Sequence, residues 1–167
     1  MDNDTVKTYK DPLTRIMDLM RASFGGTFKA YYEGDPIDIP KANFPCLIVE
    51  VQDGLTQLGA TSTDIFQTRI NIRPVFNKED DYGAEENQDL TERKLRILVE
   101  GRDPSTGQYL PNSILGVLRS NFTLSSNLTE SDIDWQYNIQ PRANLVVTSE
   151  ALVQVRAIEH VIVPNRN

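Results

Sequence analysis

The sequence predicts an α+β domain, with a mixed, mainly antiparallel sheet that carries an extended hairpin and helices packed on one face. Three observations lead there. Apolar residues recur at helical spacing near the N-terminus, before Glu100 and after Ser113. Residues alternate with a period of two near 65–76, 134–140 and 151–163. The order is helix, strands, two helices, strands, not a strict strand–helix alternation, which favours α+β over a parallel doubly wound sheet.

Residues 1–10 are polar and read as a flexible N-terminal arm, and residues 11–167 as a single domain. Asp11 and Pro12 start a helix, with an acceptor at the N-cap and the ring at N1, where the missing N–H costs nothing. Leu13, Ile16, Met17 and Met20 form one apolar face, and Gly25-Gly26 ends the helix. Phe28 to Tyr32 reads as a short strand closed by the turn Gly34-Asp35-Pro36. Cys46 to Val51 is apolar on both faces except at Glu50, as in an inner strand. Residues 52–63 read as a long polar connection with Leu55 to Ala60 as its tip. Ile65 to Phe76 is a half-buried strand, with Phe66, Ile70, Ile72 and Phe76 on one face and Gln67, Arg69, Asn71 and Arg73 on the other. The two strands form the extended hairpin.

Asn87 or Asp89 is placed to cap a helix running to Glu100, buried through Leu95, Leu98 and Val99, with Gly101 as its stop. A turn-rich stretch, 102–111, leads to a short helix with Ile114, Leu115, Val117 and Leu118 apolar, ending near Asn121. Trp135, Tyr137 and Ile139 alternate with polar residues until Pro141 stops that run. Residues 145–147 form a short apolar piece. The β-branched alternation of 151–163 favours a strand over a helix.

Composition narrows the function. A chain of 167 residues is one domain by length and buries roughly two thirds of its unfolded surface. The net charge is −7, and residues 77–92 hold seven acids against one base, a local −6. The segment reads as an acidic loop that repels DNA, membrane phosphates and copies of itself. The single cysteine, Cys46, sits in an apolar run and reads as a buried reduced thiol. The chain opens MDNDTVKTYK without an apolar leader, and no run approaches the roughly 20 apolar residues that span a bilayer. The expectation is a soluble protein made in a reducing cytosol, in which the sequons at Asn121 and Asn127 are chance matches.

Signatures of catalysis are thin, and the reading assigns no catalytic residue, metal or cofactor. The only histidine, His160, adjoins Glu159 in a strand, where neighbours point to opposite faces. Glu79-Asp80-Asp81 lacks the alternating ligands and glycine of a calcium loop and reads as a solvated face. Arg69 and Arg73 are too few for a nucleic-acid footprint and read instead as partners of acids on a neighbouring subunit. A carboxylate site at Asp132 and Asp134 beside Trp135 is the enzyme alternative.

The amphipathic helix of residues 11–23, the strand FPCLIVEV, the strand DIFQTRINIRPVF, the helix TERKLRILVEG and the tract RDPSTGQYLPNSILGVLRSNF together resemble tail-terminator proteins of tailed bacteriophages, also called tail-completion, neck or gateway proteins. The resemblance implies a virion protein, assembled in the bacterial cytoplasm. It implies a six-fold homo-oligomeric ring on the head-proximal end of the tail tube, contacting tail-tube protein, the head–tail connector and, in contractile tails, sheath protein. Genomic DNA passes its lumen without specific binding. On this reading Glu79, Asp80, Asp81, Glu85 and Glu86 form an acidic channel surface, and Leu55, Leu58, Arg69 and Arg73 make subunit or partner contacts. The alternatives are another virion subunit (tail tube, baseplate or head completion) and a small enzyme.

Overall fold

The computed structural model describes residues 8–60, 62–83, 90–121 and 133–164. Its elements are α1 (Pro12–Phe24), β1 (Ala30–Glu33), β2 (Cys46–Leu58), β3 (Thr63–Asn77), α2 (Thr91–Glu100), α3 (Ile114–Ser120), β4 (Asp134–Arg142) and β5 (Val146–Ile162). The strands form one sheet in the order β1-β2-β3-β5-β4. Only the β1–β2 pairing is parallel. The fold is α+β, with a mixed, mostly antiparallel sheet.

Helix α1 begins as its sequence requires. The Asp11 carboxylate accepts the Thr14 N–H at 2.7 Å, Pro12 sits in the first turn, and Gly25 ends the helix at φ 44°. Its apolar face packs onto the sheet with α2 and α3. Ile16, Met17, Met20, Phe24, Leu95, Val99, Ile114, Leu115 and Leu118 meet Leu47, Val49, Ile70, Ile72, Ala151, Val153 and Val155 in one core. All three helices thus cover one sheet face. The other face has a smaller core at one end, where Ile39 and Phe44 of the β1–β2 connection cover Cys46, Ile48, Val75 and Val146.

Several local expectations are corrected. The first strand lies later than Phe28–Tyr32, because Phe28 turns into the main core edge-on to Phe24 and Tyr31. Residues 52–63 are not a loop. β2 runs on to Leu58 and β3 starts at Thr63, and the Gly59 N–H bonds to the Thr63 carbonyl and the Thr63 N–H to the Ala60 carbonyl between them. Polar strands are permitted there because both faces are open. Asn87 and Asp89, the expected caps of α2, lie outside the described residues. Leu90 is its N-cap, and the Asp81 side chain takes the Thr91 N–H at 2.7 Å from a distant turn. Gly101 ends α2 with φ −56°, so its need for glycine comes from close approach of the Ile97 carbonyl and the Leu110 side chain rather than from a left-handed turn. Pro141 does not stop β4, because β4 is an edge strand where a missing N–H costs no ladder bond. Of residues 145–147, Val146 and Val147 belong to β5 and Leu145 ends the 3-10 turn before it, so they are not a separate piece. Of the N-terminal arm, residues 1–7 lie outside the described residues. Tyr9 and Lys10 are tied down, to Glu159 at 2.9 Å and Asp18 at 2.7 Å.

Candidate assembly surface

The expected site residues fall at opposite ends of one strand. β3 holds Thr63 at the hairpin tip and Asn77 at the acidic turn. At ~3.4 Å per residue its fifteen residues separate the two by roughly 50 Å. The structure therefore does not bring Leu55 and Leu58 together with Glu79, Asp80 and Asp81.

At one end, β2, β3 and β5 form a three-stranded arm. β5 pairs with β3 as far as Thr63 opposite Ile162, so the projection is wider than a hairpin. Leu55 lies opposite Gln67 and Leu58 opposite Asp64, which places the two leucines on opposite faces of the arm and within a strand rather than on a loop tip. Leu58 is 91% exposed and Ile162 78%, with Leu55, Phe66 and Val161 also open. Folded chains seldom leave so many large apolar side chains together in water without a partner.

Arg69 and Arg73 both find acids within their own chain. The expected pairing with acids of a neighbouring subunit did not foresee these intrachain partners, which the register sets. Arg69 forks onto Asp53, its direct cross-strand neighbour, at 2.9 and 2.7 Å. Arg73 donates to Asp35 and to Glu50, each at 2.9 Å. It belongs to a half-buried network on the face away from the helices. There Arg142 donates to Asp35 at 2.7 Å and to Glu150 at 2.5 Å, and Thr148 donates to Glu150 at 2.6 Å. Glu150 is 1% exposed. The paired carboxylates hold the Arg142 guanidinium protonated, more than offsetting the burial that pushes its pKa down. Asp35 sits in the β1–β2 connection, so the network fastens that connection to β3 and β4. Sequence reading missed it because its members lie on five separate segments, the β1–β2 connection and strands β2, β3, β4 and β5.

At the other end, Lys78–Asp81 is a 3-10 turn capped by Asn77. Glu79 pairs with Lys41 at 3.0 Å, and Asp80 is exposed. Asp81 differs from both and from the expected solvated face. Burial raises its pKa, but the Lys78 ammonium and the Thr91 N–H outweigh this and hold the carboxyl below its ordinary range. It is a structural cap for α2. Glu85 and Glu86 lie outside the described residues. Tyr82, Leu145 and Val147 border the turn, with Leu145 98% exposed, so this pole also joins apolar and acidic groups.

Of the residues of the enzyme alternative, Asp134 and Trp135 point to opposite faces of the sheet. Asp134 is exposed, whereas its strand neighbour Trp135 turns to the helix side and donates to Glu100 at 2.8 Å, beside Tyr137 at 2.5 Å. Asp132 lies outside the described residues. Among the described residues no three His, Cys, Asp or Glu side chains gather as metal ligands. His160 is exposed near the arm, while its neighbour Glu159 is buried on the helix side, accepting from Tyr9 with Arg15 at 3.6 Å. No family model matches this chain, and no curated protein is significantly similar to it.

Proposed function

We propose that this chain is a structural virion protein that forms a ring, six-fold by resemblance, at the head-proximal end of a phage tail. There it ends tail-tube growth and joins the tail to the head connector. One observation carries the reading. The two poles of the long β3 strand each present exposed apolar side chains in a polar setting, Leu55 and Leu58 at one and Tyr82 and Leu145 at the other. A protein that must grip different partners on two sides needs two such ends. The acidic balance supports it further, since like charge lets DNA pass without sticking. Its partners on this reading are its own copies, tail-tube protein, connector or neck proteins and, in a contractile tail, sheath protein.

Light scattering on the purified protein, with electron microscopy before and after adding tail-tube protein, tests the reading. Rings, or monomers that become rings on tube ends, are expected. Long self-assembled tubes would instead make it a tube subunit. A monomer that ignores tubes would overturn a virion role at the tail end.

A further inference from the structure

We infer that the closed end of the β4–β5 hairpin is a docking knob for a foreign protein, one that offers an apolar hollow rimmed by lysine and arginine. The inference deepens the proposed role and rests on it for placing that protein in the virion. The hairpin outruns its cover. α2 begins at Thr91, whose hydroxyl lies 3.0 Å from that of Ser149, so the helix layer meets β5 there. Val147 is two residues farther out on the same face, directly opposite Pro141. Among the described residues, Val147, Pro141 and Ile139 on that face are exposed, as are Leu145 in the turn and Tyr82 beside it. A groove of about 450 Å³ runs between Tyr82 and the pair Leu145 and Val147.

Backbone strain singles out Leu145. The strands close at the pair Arg142 and Val146, and Asn144 and Leu145 between them stand at φ 61° and 60°. Hairpin turns with two such residues favour asparagine followed by glycine, because in this conformation a Cβ crowds the following carbonyl oxygen. Leucine therefore costs the fold strain that glycine would not. At 98% exposure its side chain recovers no burial from the described residues. Its gain lies outside the fold, in a partner. Held on a tight turn, the knob also has little freedom left to lose on binding.

Charge selects the occupant. The acidic segment leaves this end at Asp81 and returns at Thr91, whose N–H the Asp81 carboxylate accepts. Residues 77–94 together with Lys41 hold seven acids against four bases. Glu79 pairs with Lys41 and Asp81 with Lys78, so the surplus lies with Asp80 and the acids that follow. Like charge keeps the same end of another copy away. The arm offers no basic surplus either, since Asp53, Asp64 and Glu159 stand there against Arg69 and Arg156. Phosphates of nucleic acid or membrane are repelled. A foreign protein whose hollow takes the leucine and whose rim is basic satisfies the apolar knob and the charge together.

Leu145→Asn and Leu145→Gly test the knob, because asparagine and glycine accept positive φ readily. Each variant should melt at the wild-type temperature or a few degrees above it, since strain is relieved and no burial is lost. Purified tail tubes and purified head connector of the same phage serve as probes, titrated by pelleting at about 50 and about 500 mM salt. Wild type is expected to bind one of the two. Both variants should bind that probe about tenfold more weakly or worse, and the higher salt should weaken wild type by a similar factor. A lower melting temperature in both variants would mean that Leu145 packs on its own chain, which overturns the inference. So would variants that bind as tightly as wild type, or wild-type binding that ignores salt. Self-association lost in the variants would make the occupant a second copy, which also overturns it. If wild type forms rings on tubes and the variants keep every contact, the tail-end reading stands and only the knob is lost. If wild type binds neither probe and never joins a tube, both fall.

Discussion

Glu150 shows how much a single buried side chain can hold. Its carboxylate sits among Thr148, Arg142 and, at 4.0 Å, Arg73, and it is almost wholly out of water. Removing one member of a buried ion pair strands the other, at a cost of about 3–5 kcal/mol, whereas replacing both with apolar groups is often neutral. Glu150→Ala is therefore expected to lower the urea midpoint sharply. The double variant Arg142→Met/Glu150→Leu should recover most of the loss, and equal losses in the two would refute this account. Cys46 makes a second residue-scale case. Burial pushes its thiol up to about 12. Folded protein at pH 8 should resist iodoacetamide for hours, while protein in 6 M guanidinium (about pKa 8.5 for a free thiol) reacts within minutes. Fast labelling of the folded protein would refute the buried placement. The apolar run around Cys46 already announced that burial. Glu150 was not legible, because it falls between the two pieces read from sequence, 145–147 and 151–163, and only the arginines from β3 and β4 beside it explain a buried acid there.

At the scale of elements, α2 begins on a cap borrowed from another turn. Leu90 offers no side-chain acceptor, so Asp81 supplies one to the Thr91 N–H. Asp81→Ala should destabilise the fold by about 1 kcal/mol, the usual cost of a lost N-cap. The pH dependence follows in sign. The folded carboxyl is depressed, so its stabilisation is present above the unfolded pKa of about 3.9 and disappears as pH falls through the lower folded value. The variant should match wild type in acid and fall behind it near neutrality, as read by thermal melts from pH 2 to 7. A constant gap at every pH would refute the cap. The sequence announced α1 completely, because Asp11, Pro12 and Gly25 are local signals. It misassigned the start of α2, because the acceptor lies ten residues upstream. The hairpin was legible as strand, polar connection, strand. Its true reach was not, because residues 52–58 owe their strand state to the ladder with β3 and not to their own apolar pattern.

At the scale of the whole molecule, the acidic segment and the apolar arm sit at opposite ends of β3, which separates their roles. Reversing the exposed acids Glu79 and Asp80 together with Glu85 and Glu86 to lysine, while leaving Asp81 to its cap, tests the channel placement without unfolding α2. If these groups line a passage for DNA, the variant phage should eject its genome more slowly, with tail length unchanged. Normal ejection would place them elsewhere. The structure brought Arg69 and Arg73 to acids of their own chain, and sequence reading did not foresee these partners for a simple reason. A strand face shows which residues point together but not which strand lies alongside.

The sequence by itself determined the α+β class, the capped first helix, the buried thiol, the turn at Gly34 and the concentration of negative charge before α2. Each rests on neighbours a few residues apart, where propensity, period and capping act directly. The tertiary structure alone decided the sheet order β1-β2-β3-β5-β4, the width of the arm, the buried Arg142–Glu150 network and the pairing of Arg69 with Asp53. Those features join residues as far apart as Asp35 and Arg142. The period of two specifies the faces of a strand, while its neighbours are chosen by the packing of the whole sheet.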